Sequence, residues 1–200
     1  MLILASASPR RQEILRNAGI AFSVQPSAIP EELQAGESAR SHAERLAREK
    51  ALAVWSQRPT NVVLGADTVV VVGDLILGKP RDAADASRML RLLSGRQHEV
   101  ITGVCLMGPQ PGTANPQLKT GFEDIRSETT LVSMNTLSDD DIRHYVSTLE
   151  PMDKAGAYAI QGIASRWISR IEGDYFNVVG LPVALVWRLL RERGCWRAEG

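Results

Sequence analysis

The stretch NVVLGADTVVVVGDLILG, residues 61 to 78, most constrains what this chain can fold into. Its valine run is central-strand material, and Gly73-Asp74 marks a turn inside it. The surroundings alternate in type. LILA (2–5) is a short apolar run fit for a buried strand, feeding a helix that begins at Ser8, buries Ile14, Leu15 and Ala18, and stops at Gly19. AFSVQ (21–25) reads as a second strand, 26–36 as loop, and 38–56 as one long helix. Residues 82–94 form an amphipathic helix capped by Asp82, with Ala86, Met89, Leu90 and Leu93 on its apolar face and Gly95 closing it. QHEVITGVCLMG and GFEDIRSETTLVSMNTL read as two long strands around a Pro- and Asn-rich hairpin tip, PQPGTANPQLKT. A helix starts at Ser138, SRWISRIEG (165–173) reads as a further strand, and a helix with Pro182 near its first turn ends at Gly194. Strands and helices in this order predict an α/β fold in a single domain spanning residues 1–200.

The charges exclude some classes of function. The 23 basic and 23 acidic residues cancel, so the chain is not built to coat a nucleic-acid backbone, and 5% aromatics suits an RNA-binding module poorly. Cys105 and Cys195 have no metal-ligand or CxxC spacing, which suits a reducing compartment. The first residues do not read as a secretory signal and no apolar run reaches membrane-spanning length, so a cytoplasmic protein is expected.

Several charges stand where local physics disfavours them. Ser8 and Pro9 make a helix start, yet Arg10 and Arg11 follow, although the partial positive charge of a helix N-terminus prefers acids. The helix at Ser138 shows the favoured pattern, with Asp139, Asp140 and Asp141 in its first turn. Lys50 occupies a step of the apolar stripe formed by Ala43, Leu46 or Ala47, and Val54, so it needs an anion or must reach out to solvent. Asp67 interrupts the valine run, where an unpaired carboxylate is expensive and a Lys, an Arg or a divalent metal should meet it. Thr68 points to the opposite face if that strand is regular, or lines a site if the strand ends there. Lys79, before Pro80, is either an exposed loop lysine or an anion contact ahead of a helix N-terminus. DKAGAYAIQG (153–162) is glycine-rich, though its spacing is neither a P-loop nor GxGxxG. The three histidines are scattered, and no nucleophile-elbow motif appears.

Taken together, Arg10, Arg11, Lys50 and Lys79 are cations seeking anions, while Asp67, with Glu31, seeks a cation. A polyphosphate carrying a divalent metal would satisfy both sets, which points to metal-dependent phosphoanhydride hydrolysis.

LASASPRRQEIL, LAREKA, GADTVVVV, GKPRDA, LSGRQHEVITGV, DKAGAYAIQG and GDYFNVVGLP also resemble, in order across nearly the whole chain, the Maf-like nucleoside triphosphate pyrophosphatases. The resemblance implies an elongated mixed β-sheet flanked by helices in two lobes with a central cleft, similar to inosine triphosphate pyrophosphatases, and commonly a homodimer. It implies cleavage of a nucleoside triphosphate to monophosphate and pyrophosphate with a divalent metal, Mg or Mn. It makes Asp67 the proton acceptor and a metal ligand with Glu31, and Ser8, Arg10, Lys50 and Lys79 polyphosphate contacts. Arg11, Thr68 and Gln161 are similar to the specificity positions of the dTTP- and UTP-hydrolysing branch, not the 7-methyl-GTP branch. A glutamine amide, both donor and acceptor, suits the imide edge of uracil or thymine. Modified pyrimidine nucleotides such as 5-methyl-UTP and pseudouridine triphosphate, and a link to septum formation, belong to the same implication. The competing class is a non-catalytic nucleotide-binding regulator of cell division.

Overall fold

A computed structural model describes residues 1–110 and 121–195, so the hairpin tip expected at 109–120 lies outside the described residues from 111 on. In chain order the elements are β1 (Leu2–Leu4), α1 (Pro9–Asn17), β2 (Phe22–Val24), α2 (Ala39–Trp55), β3 (Val62–Val72), β4 (Leu75–Leu77), α3 (Ala83–Leu93), β5 (Gln97–Pro109), β6 (Gly121–Met134), α4 (Asp139–Ser147), β7 (Ile168–Glu172), α5 (Tyr175–Val179) and α6 (Val183–Glu192). They build a seven-stranded mixed sheet in the order β2-β1-β3-β5-β6-β7, with β4 paired to β3. The α/β class is as the sequence predicts. The chain divides into two compact units. One comprises Met1–Asp67, Thr102–Glu128 and the chain from Gly180; the other comprises Thr68–Ile101 and Thr129–Val179.

In the first unit, β1 lies parallel between β2 and β3, with Leu2 opposite Phe22 on one side and Val62 on the other. Parallel neighbours need crossovers, and α1 and α2 provide them. Helix α2 turns Ala43, Ala47 and Ala51 inward, spaced four residues apart on one face. Two glycines let it settle on the sheet. A Cβ on Gly65 would sit 2.1 Å from the Ala47 carbonyl oxygen, and one on Gly103 2.4 Å from that of Ala43. Ile3, Ala5, Ala47, Ala51, Val54, Val63, Cys105 and Met107 then close into one core cluster, which Trp55 and Ile125 flank. Burial pushes the Cys105 thiol up to about 12, so it stays a packed, protonated side chain.

In the second unit, β4 folds back on β3 through Gly73, whose φ of 57° suits a tight turn, and Val70 faces Leu77. Asp82 caps α3, and Ser138 and Asp141 form a reciprocal capping box at α4. The strand expected over 165–173 begins only at Ile168. Residues Ile163–Trp167 wind as a 3-10 turn, burying Ala164 and Trp167 next to each other in space rather than on alternating faces. Helix α5 has no counterpart in the sequence reading, because its five residues are too few to show a helical period. Pro182 stands at the N-cap of α6, one position earlier than its N1 preference suggests. Asn177 of α5 is fully buried and donates to the Val100 carbonyl (2.9 Å) and to Thr130 Oγ1 (3.0 Å).

Candidate active site

The site grows from the contact between α2 and β3. Gly65 and Asp67 are two residues apart, so both face α2, and the close approach that Gly65 permits brings Lys50 onto Asp67. Lys50 Nζ donates to Asp67 Oδ1 at 2.7 Å and to Glu31 Oε1 at 2.5 Å. The Lys50 and Asp67 side chains are 8% and 9% exposed, whereas Glu31 is 38% exposed at the rim. The lysine in the apolar stripe and the aspartate in the valine run are therefore each other's answer, and Lys50 does not run out to solvent.

Ser8 caps α1 as its sequence predicts, accepting from the Arg11 amide at 3.5 Å, with Pro9 in the first turn. The Arg11 guanidinium folds back into the protein: Nε donates to the Gly180 carbonyl (2.8 Å), and Nη1 to the Ala66 carbonyl (2.8 Å) and Ser6 Oγ (3.2 Å). Burial lowers its affinity for its proton, while the charges of Asp67 and Glu31 oppose that shift and Arg10 adds to it. The structure thus gathers Arg11, Glu31, Lys50 and Asp67 in the first unit, with Ser8 and half-buried Arg10 at the adjoining helix start.

The loop carrying Glu31 is clasped to α2 by a group the sequence reading missed. Arg45 reaches both oxygens of Glu37 (2.7 and 2.8 Å), Glu49 (3.2 Å) and the Glu32 carbonyl (2.9 Å), and His42 Nδ1 lies 3.0 Å from Glu37. The hydrogen bond from Arg45 chiefly holds Glu37 down to about 2. The i,i+4 spacing of Arg45 and Glu49 was the visible signal; the return of Glu37 across the loop leaves none. Ser6, a partner of Arg11, was likewise unmarked.

Thr68, Lys79 and Gln161 belong to the second unit. Strand β3 continues unbroken through Thr68, so the alternation of the pleat turns it away from the face of Asp67. Lys79 is exposed in the loop between β4 and α3. Gln161 is exposed at the tip of the turn that closes DKAGAYAIQG, where the Gly162 amide donates to the Ala159 carbonyl at 3.0 Å.

A divalent cation is compatible with these residues. Asp67 and Glu31 offer hard carboxylate oxygens converging on one point, now held by the Lys50 ammonium. Among the described residues no three His, Cys, Asp or Glu side chains form a metal cluster. None of the described helices is long and apolar enough to cross a membrane.

Residues 1–193 match the family described as Maf-like protein. The chain belongs to the Maf-like family. Among curated relatives, this Maf-like chain is 54% identical over 193 residues to the dTTP/UTP pyrophosphatase of Koribacter versatilis, covering 96% of this chain and 94% of that one. It is 46% identical to the dTTP/UTP pyrophosphatase of Desulforamulus reducens, covering 96% of each. Among solved structures, the Staphylococcus aureus Ham1 protein aligns with a TM-score of 0.50 at 15% identity, over 96% of the Maf-like chain and 98% of its own. At that identity the likeness speaks to the fold alone.

Proposed function

We propose that this protein hydrolyses dTTP and UTP to the monophosphate and pyrophosphate, with Asp67 as the proton acceptor for the attacking water. The observation that carries the reading is the buried Lys50 between Asp67 and Glu31, in a chain 54% identical to a protein named dTTP/UTP pyrophosphatase. Lys50 gives the buried Asp67 carboxylate a cationic partner at 2.7 Å and fixes its position, and a positioned carboxylate is what proton abstraction needs. The same ammonium is a ready partner for phosphate oxygens. Arg10, and the Ser8 cap at the start of α1, offer further donors to an anion there. A divalent cation held by Asp67 and Glu31 would neutralise charge on the polyphosphate. Lys79 is assigned to phosphate, and Gln161 and Arg11 to substrate choice, on the strength of the family resemblance, which gives the same role to Thr68 although β3 turns it from the face of Asp67.

Modified pyrimidine nucleotides with an intact imide edge, such as 5-methyl-UTP and pseudouridine triphosphate, fall within the same reading. So does a pair of identical chains as the working form.

The test is a panel of nucleoside triphosphates with magnesium or manganese, scored for pyrophosphate release beside Asp67→Asn. Pyrophosphate from dTTP and UTP that Asp67→Asn abolishes is the expected result. Tight dTTP binding without turnover would overturn the enzyme reading, and preference for 7-methyl-GTP would overturn the substrate assignment.

A further inference from the structure

Gln161 is exposed, yet the backbone on both sides of it is fastened to two inward-turned polar side chains. Tyr145 of α4 is completely buried, its ring edge-on to Trp167 at 5.4 Å between centroids. Its hydroxyl accepts from the Ala159 amide at 3.1 Å and donates to Glu150 Oε1 at 2.8 Å. The Glu150 carboxylate in turn accepts from the Ile163 amide, at 3.1 Å through Oε1 and 3.3 Å through Oε2. One amide lies two residues before Gln161 and the other two residues after it.

The fit beneath the turn is tight. A Cβ on Gly162 would fall 2.2 Å from Glu150 Oε1, so the carboxylate sits where any other side chain at 162 would begin. Burial raises the Tyr145 hydroxyl, so it remains a proton donor to Glu150 across the physiological range. Burying such groups is costly unless their hydrogen bonds are made, and here the partners are the amides of the turn. An exposed glutamine whose turn could rock would present its amide over many angles, and a glutamine distinguishes bases only if donor and acceptor stay in place.

We propose that Tyr145 and Glu150 are positioning residues for base selection, holding the 159–163 turn so that the Gln161 amide meets the pyrimidine edge in one orientation. This rests on the function proposed above, in which Gln161 reads the base. Uracil and thymine present an N–H between two carbonyls, whereas cytosine presents an amino group and an unprotonated nitrogen. A fixed amide would favour the first pattern, and a loosened one would lose the distinction.

The experiment compares kcat/KM for UTP and CTP in the wild type, Gln161→Ala, Tyr145→Phe, Glu150→Gln, Gly162→Ala and the double variant Tyr145→Phe/Gln161→Ala. The ratio of the two substrates counts only folded enzyme, because an unfolded fraction cancels from it. Tyr145→Phe keeps the packed ring and removes the hydroxyl. It should lower the UTP:CTP ratio about tenfold, as loss of one hydrogen bond's worth of orientation implies. Glu150→Gln and Gly162→Ala should move the ratio the same way, and the double variant should discriminate no worse than Gln161→Ala alone. If Gln161→Ala collapses the ratio while Tyr145→Phe, Glu150→Gln and Gly162→Ala leave it at the wild-type value, the positioning role is overturned and base reading by Gln161 stands. If Gln161→Ala itself leaves the ratio unchanged, base reading by Gln161 fails and takes the positioning role with it.

Discussion

The Lys50 ammonium lies 2.7 Å from Asp67 Oδ1, with both side chains buried between α2 and β3. A lone buried charge would be intolerable there, and the pair makes each charge tolerable.

Removing one partner should therefore be worse than weakening the other. Lys50→Met is expected to lower stability by about 3–5 kcal/mol, because it strands a buried carboxylate. Urea unfolding at pH 7 measures this, and a loss under about 1 kcal/mol would mean that Asp67 reaches water or another cation.

Asp67→Asn retains an oxygen acceptor for Lys50 and removes the base. Activity should fall by about 10²–10⁴-fold, the usual contribution of a positioned general base, while the urea midpoint moves little. Steady-state rates on dTTP and UTP, read beside circular dichroism, check both halves.

Arg11 holds three segments at once through Ser6, the Ala66 carbonyl next to Asp67, and the Gly180 carbonyl. A lysine cannot reproduce that fork. Arg11→Lys is expected to cost about 1–3 kcal/mol of stability from carbonyls left without their donor. Arg11→Ala should in addition change the dTTP, UTP and CTP ranking. An unchanged ranking with lowered stability would leave Arg11 a purely structural anchor.

Gly65→Ala tests the packing that delivers Lys50 to Asp67. Its Cβ would overlap the Ala47 carbonyl and the Ala51 amide, which are helix backbone and cannot rotate aside. Overpacking on this scale is expected to cost about 3 kcal/mol or more and to push α2 off the sheet, so activity should fall together with the thermal midpoint. A variant as stable as the wild type would show that α2 shifts without penalty.

Glu37 gives a pH signature. Its folded carboxyl is held at about 2, below its ordinary 4.5, so the folded form sheds its proton more readily than the unfolded chain. That stabilisation is fully present above the unfolded value and is lost as pH falls from about 5 towards 2. Glu37→Gln should reduce stability at pH 7 and converge with the wild type near pH 2, as urea midpoints across that range would show. A gap that persists at pH 2 would assign the clasp to packing and not to charge.

The elements legible in the sequence share one property: their chemistry is local. Ser8, Asp82 and Ser138 each cap the helix that follows within three residues, and β3 announces itself by its valines. Where the sequence pattern misled, tertiary burial was the cause. Ser165 to Trp167 reads as the start of a strand but winds as part of a 3-10 turn in which Ala164 and Trp167 are both buried. Lys50 and Asp67 were conspicuous individually, since each is a charge in an apolar pattern.

The sequence by itself determined the α/β class, the starts of α1 to α4, and which charges could not be left alone. Only the tertiary structure decided their partners. Lys50 meets groups 17 and 19 residues away, and the Arg11 guanidinium meets carbonyls 55 and 169 residues away. The physical reason is that capping and patterning act through neighbouring backbone, whereas a buried charge is satisfied by whatever the close packing of distant elements places within hydrogen-bond reach. For Lys50, two glycines that let α2 lie against the sheet settle that placement.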